Sequence, residues 1–216
     1  MLPSYKHIIN PRLKHTYLSI DDGGTLIIKS PVVSQQYISK LLISKAQWIN
    51  RAREHIANKK GKIEDIHNIS TLYLWGEEKS LILIPSTKNN ISIDTQITIH
   101  YKDIDKILQQ IYSLYRDEAK SKLPHIVQEY AQKMQLFPNK ITFRKTKRQW
   151  GSCSATNNIS LNTMLAKLPI DVVKYVIVHE LAHIRHKNHQ KEFWALVKRY
   201  MPNYKQLQNE LKTYTT

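Results

Sequence analysis

Tyr175-Val176-Ile177-Val178-His179-Glu180-Leu181-Ala182-His183-Ile184-Arg185-His186-Lys187-Asn188-His189 is the stretch on which the reading of this chain turns. Val172, Val173, Val176 and Ile177 recur at helical spacing ahead of the first histidine. Pro169 is placed to open the helix, which is expected to run to about Lys187. Residues four apart share a helix face, so His179 and His183 can bind one zinc ion (Zn2+). Glu180 is turned by about 100° from His179 and lies beside the pair, within reach of water at the metal. Two neutral imidazoles and one carboxylate at HExxH spacing are what metal-assisted hydrolysis needs: a metal holder and a proton acceptor.

A catalytic zinc usually takes three protein ligands and keeps one position open. On a straight helix His186 would sit about 10.5 Å along the axis from His179, too far to converge with both other rings. The third ligand is therefore expected beyond the helix end. His189 follows Asn188, and asparagine tolerates the left-handed backbone that ends helices. A turn there would swing His189 back to the metal, with Glu192 as the rival ligand. His186 reads as a basic cap on the helix C-terminus. Metzincins share the HExxHxxxxxH spacing but carry a glycine where His186 stands, so the chain departs from their motif. The competing class is a nucleic-acid-associated binding module with a structural zinc. Glu180 argues against it, because a structural site has no use for a base at that position.

Working outward, Tyr17–Ile20 and Thr25–Lys29 flank Asp21-Asp22-Gly23-Gly24 and read as a hairpin. Ser34 is placed to cap a helix running to about Ile56, with a break at Lys59–Lys62. Strand patterns follow at 71–75, 81–84, 91–93 and 96–101, with Gly76–Lys79 and Asn89-Asn90 as turns. From Asp103 a helical stripe begins; Pro124 is expected to interrupt it, with a second helix ending near Leu136. Short strands are expected at 141–144 and 159–161, and helices at 190–201 and 204–214. The fold class is α+β. The expected division is a β-rich part with one long helix over residues 1–101 and a zincin-like, mainly helical domain with a short sheet over 102–216.

Several stretches together resemble the YgjP-like zinc metallopeptidase family, itself related to the SprT-like peptidases. They are Trp150-Gly151-Ser152-Cys153, Ile159-Ser160-Leu161-Asn162, Pro169, Tyr175–His183, Asn188-His189 and Phe193-Trp194. The likeness extends weakly to the early hairpin, Trp48-Ile49 and Leu74-Trp75-Gly76. It implies zinc at His179, His183 and His189 and catalysis by Glu180 on a protein or peptide substrate. The turn Ala155-Thr156-Asn157-Asn158 lacks an expected glycine, but asparagine reaches the same backbone region.

The composition narrows the rest. With 216 residues, 41% hydrophobic and 23% charged, the chain can bury a core. No run approaches the roughly 20 apolar residues of a membrane span, so no membrane partner is expected. The first residues lack the apolar stretch of a signal peptide. A single cysteine, Cys153, excludes an internal disulfide framework and fits a reducing, cytoplasmic location. The net charge is +16; residues 1–100 hold 13 basic and 8 acidic side chains, residues 101–216 hold 20 and 9. Such an excess attracts nucleic acid without sequence preference, or simply solvates the surface. A protease recruited to nucleic-acid complexes would combine both features, as the SprT-like kinship suggests by analogy.

Arg144-Lys145-Thr146-Lys147-Arg148 has three readings: a solvated edge, a phosphate contact with Trp150 available for stacking, or an edge that holds extended substrate. Cys153 reads as a small buried residue, since no dedicated histidine activates it. Asn162 is expected to hydrogen-bond near the active-site helix. Phe193, Trp194, Val197 and Tyr200 read as packing around the metal helix. Tyr175, Tyr200, Arg185 and His186 are the candidates for stabilising an oxyanion.

Overall fold

In the computed structural model, which describes residues 3–21, 23–57 and 69–216, the first sheet gathers Tyr5–Ile9 (β1), Tyr17–Ile20 (β2) and Leu26–Ser30 (β3). The hairpin forms as expected: β2 runs antiparallel to β3, and Asp21 Oδ1 accepts from the amides of Gly23 and Thr25 in the turn. The parallel pairing of β1 with the other side of β3 was not legible, because β1 carries no clear alternation. Ser34 caps the following helix by accepting from the amide of Tyr37. The single helix expected to about Ile56 is two, Gln35–Ser44 (α1) and Ala46–Ala57 (α2), broken at Lys45. Leu26, Ile28, Ile38, Leu42 and Ile49 form the core of this part. The break expected at 59–62 lies outside the described residues.

The chain divides into two compact units, residues 1–60 and 61–216. This differs from the division expected at 101/102. The reason is burial: Leu72, Leu74, Ile97 and Ile99 share one core with Ile107, Ile111 and Leu165. In the second unit Thr71–Leu74 (β4), Glu77–Pro85 (β5), Asn90–Ile93 (β6) and Ile97–Tyr101 (β7) make a sheet of order β4-β5-β7-β6. The turn expected at Gly76–Lys79 is tighter than that. Trp75 and Gly76 alone connect β4 to β5, both in the left-handed region (φ 52° and 89°), as two-residue hairpin loops require. Their amides donate to the carbonyls of Ala166 (2.7 Å) and Lys167 (3.1 Å). A Cβ on Gly76 would lie 2.7 Å from Pro169 Cα, so only glycine lets the hairpin tip dock there.

Asp103 caps a short 3-10 turn at Ile104–Lys106, and one helix, Ile107–Met134 (α3), follows. Pro124 lies inside it and does not end it. An interior proline costs about 3 kcal/mol, but Leu123, Val127, Tyr130 and Ala131 carry the buried stripe across it. A second sheet holds Lys140–Arg144 (β8), Gly151–Cys153 (β9) and Asn158–Asn162 (β10), with β10 central, parallel to β8 and antiparallel to β9. The turn from β9 to β10 places Asn157 in the left-handed region (φ 57°), the role anticipated for an asparagine there. The last helices are Ile170–Arg185 (α4), Lys191–Tyr200 (α5) and Tyr204–Leu211 (α6). Among the described residues, no helix is long and apolar enough to cross a membrane.

Candidate metal centre

Buried Val172, Val173, Tyr175, Val176, Ile177 and Val178 fix α4 in the core and leave its last turns to carry the site. One helical turn separates His179 from His183, and their ring centroids are 4.9 Å apart. The helix then stops at Arg185, earlier than Lys187. His186 is the C-terminal cap, with extended backbone, and Asn188 is not left-handed. The chain nevertheless returns: His189 Nε2 lies 3.0 Å from His179 Nε2, and one ring nitrogen from each of His179, His183 and His189 falls within 4.8 Å of the others. His186 caps the helix, but the useful group is its carbonyl, which accepts from His183 Nδ1 at 2.9 Å. That bond directs the lone pair of His183 Nε2 away from the cap. Glu192 is exposed in the first turn of α5 and is not part of this cluster.

Fully buried Phe193 lies against all three rings, with centroids at 4.9, 4.5 and 4.7 Å from those of His179, His183 and His189. Trp194 stacks on His189 at 5.7 Å and on Tyr204 at 5.2 Å. Phe193 and Val197 are core, as anticipated, while Trp194 and Tyr200 pack partly against it. Burial pushes the His179 imidazole down to about 3, helped by charge on His183 and His189. Burial also lowers His183, opposed by its bond to His186. These two rings are therefore neutral near pH 7, the form that binds metal. Buried His179 Nδ1 has no hydrogen-bond partner among the described residues. Imidazole nitrogens on one tetrahedral zinc sit roughly 3.3 Å apart, and the approach of two Nε2 atoms to 3.0 Å fits a shared cation.

Glu180 is only 6% exposed, and burial raises its carboxyl to about 8. β9 lies directly against it: a Cβ on Gly151 would meet Glu180 Cγ and Oε1 at 2.7 Å. Neither this strand nor the role of Gly151 was read from the sequence; three residues are too few for an alternation signal. Asn162 bonds to the basic run rather than to α4. Its Nδ2 donates to the carbonyls of Thr146 and Gln149, both at 2.8 Å. The run is not one uniform edge: Arg144 donates to Ser160 Oγ, Lys145 lies over the Tyr112 ring, and the Lys147 carbonyl accepts from Thr216. Trp150 packs partly against the core. Cys153 is half-buried, and burial raises its thiol despite the neighbouring Lys187, which agrees with an inert role. Tyr175 is buried and raised to about 12 for the same reason.

The UTP pyrophosphatase of Escherichia coli (strain K12) is 32% identical over 68 residues, which are 32% of this chain and 41% of that protein. The similarity thus spans less than half of the relative's length. Among solved structures, the metallopeptidase zymogen abylysin of Pyrococcus abyssi is 20% identical, with a TM-score of 0.39 over 42% of this chain and 91% of that one. The metallopeptidase zymogen jannalysin of Methanocaldococcus jannaschii gives 22% and 0.38, over 42% and 93%. The family described as YgjP-like, metallopeptidase domain, matches residues 14–214, a span that takes in the histidine cluster, Glu180 and both sheets of the second unit. On that match the chain belongs to the YgjP-like metallopeptidase domain family.

Proposed function

We propose that the protein is a zinc-dependent peptidase in which His179, His183 and His189 hold the metal and Glu180 is the general base. The convergence of three imidazoles beside one buried carboxylate carries this reading. The donor set suits zinc, since three histidines leave one position open. When bound, zinc would supply Lewis acidity and lower the pKa of a water to about 7. The chain's own side chains do the rest. His183 is held in one tautomer by the His186 carbonyl, and Phe193 closes the side of the rings turned to the core. Glu180, fixed against Gly151, accepts a proton from water and returns it to the leaving amine of the cleaved peptide bond. Burial favours the second half of that cycle, because it raises the carboxylate's affinity for the proton it must carry, and opposes the first, for which Glu180 must be ionised; a cation held by the three histidines would offset burial there.

Glu180→Gln tests the assignment, since the amide keeps the shape and cannot accept the proton. Zinc content and fold are retained, and cleavage of a varied peptide pool falls by about 10²–10⁴-fold. A variant as fast as the native protein would overturn the mechanism.

A second reading is favoured by the likeness to a UTP pyrophosphatase and by the net charge of +16. The same centre would then hydrolyse the phosphoanhydride of a nucleoside triphosphate, an anion that a basic surface attracts. Pyrophosphate release from UTP, assayed beside the peptide pool with Glu180→Gln as control in both, separates the two. The lone cysteine supports a reducing, cytoplasmic setting for either substrate.

A further inference from the structure

The two helix-borne histidines owe their positions to α4, but His189 stands on an exposed segment between α4 and α5. Three intervening residues, His186 to Asn188, must bring it back to the other two rings. One side chain in that segment reaches across to the second sheet. Lys187 Nζ donates to the Asn157 side-chain carbonyl at 2.6 Å and to the Ser154 backbone carbonyl at 3.0 Å, and lies 3.9 Å from Cys153 Sγ. Those acceptors sit at the end of β9 and on the turn leading into β10. The turn is itself closed by the Asn157 amide donating to the Ser154 carbonyl, and it is tied to the residue preceding β8 by the Asn139 amide donating to the Asn157 carbonyl. The ammonium therefore grips a rigid object.

We infer that Lys187 is a positioning residue: it clamps the 186–190 segment to the β9–β10 turn and so sets His189 at the metal. The inference rests on the proposed ligand set. It goes further by saying what holds the third ligand in place. A competing, purely electrostatic role has the opposite sign. Lys187 is close enough for its charge to disfavour protonation of His183, and a positive charge that near also repels a bound dication. If charge alone mattered, removing it would tighten metal binding. A clamp predicts weaker binding instead.

The test is zinc affinity, measured on the purified full chain by competition with a chelator. Lys187→Ala is expected to weaken zinc by about 10-fold, the lower end of what an outer partner of a metal ligand contributes, because Lys187 is exposed. Lys187→Arg, which keeps the donors, restores most of the affinity. Asn157→Gly approaches the same clamp from its other side. It keeps the left-handed backbone, removes the shortest contact, and is expected to cost less than Lys187→Ala because the Ser154 carbonyl remains. The decisive arm is the His189→Ala background. There Lys187→Ala has no further effect on zinc affinity, since the lysine acts through a ring no longer present; a merely structural role would cost the same in both backgrounds. Unchanged or tighter zinc binding in Lys187→Ala, with His189→Ala clearly weakened, overturns the clamp and leaves the ligand set standing. Undiminished affinity in His189→Ala overturns the ligand assignment, and the clamp with it.

Discussion

The two sources of histidine at this centre are built on different principles. His179 and His183 sit on the last turns of a helix whose preceding residues are buried almost without interruption, so their spacing follows from helix period alone. His189 comes from an exposed segment with no regular structure, and its place depends on side chains that reach elsewhere. The first arrangement is local and readable; the second is tertiary. A rigid pair with a softer third arm is also chemically useful. In the proposed centre the pair would define where a cation sits, and the third ligand would depend on what holds its segment.

The largest effect should separate the two sources directly. His183→Ala removes a preset nitrogen and is expected to lower zinc affinity by more than 100-fold, beyond the range of an outer-shell partner. His189→Ala is expected to lose less, because the remaining pair still chelates. Equal losses in a chelator competition would erase the distinction between helix and loop.

Gly151→Ala probes the helix side. The added methyl would press on Glu180 at 2.7 Å from its Cγ and Oε1. Overpacking of this kind costs about 1–3 kcal/mol, readable as a lowered Tm together with reduced turnover, while zinc affinity holds. Full activity and an unchanged Tm would mean that β9 has room to move.

The pH dependence of the metal-free protein sharpens the same contrast. The folded carboxyl of Glu180 titrates near 8, above its ordinary 4.5, so between these values the native state binds a proton that the unfolded chain does not. Stability from this group is therefore full below about 4.5 and is lost as pH rises towards 8. His179, pushed down to about 3 from 6.5, acts in the opposite sense and gains stability as pH rises to 6.5. Above 6.5 only the glutamate contribution remains. The Tm of the metal-free protein should fall between pH 6.5 and 8, and Glu180→Gln should flatten that fall. A flat native profile would show that Glu180 is solvated.

The smallest effect lies outside both histidine sources. Replacing Lys145, Lys147 and Arg148 by Ala should flatten the salt dependence of any nucleic-acid binding by up to about three units on a log–log plot, with zinc content unchanged. Because Lys145 already sits over Tyr112, a smaller change would place that residue among the packing groups.

What the sequence made legible follows the same line. The HExxH pair, the first hairpin and, in the second unit, β4 to β7, β8 and β10 carry periodic or turn signals, and each formed. Three features differ from the sequence reading, two because distant contacts outweigh local preference and one, the end of α4, through a local bond. Pro124 was expected to break a helix, yet apolar burial on both sides of it keeps α3 whole. Asn188 was expected to end α4 in the left-handed region, but the helix stops at Arg185, where the His186 carbonyl is taken by His183. β9 exists only through its pairing with β10, a relation that no window of three residues contains.

The docking of the Trp75-Gly76 tip on Ala166, Lys167 and Pro169 bears on how short a working version of this protein can be made. The metal-bearing helix starts at Ile170, so its first turn is propped by a hairpin almost a hundred positions upstream. A shortened chain that begins at residue 102, where the helical region starts, would lack that prop. It would also lose β4, β5 and β7 and so uncover Ile107 and Ile111 of α3, which share a core with Leu72, Leu81, Ile97 and Ile99. Truncation from the front should be tolerated only as far as Ile69, which packs against the same core and precedes the Ser70 carbonyl that accepts from the Leu81 amide.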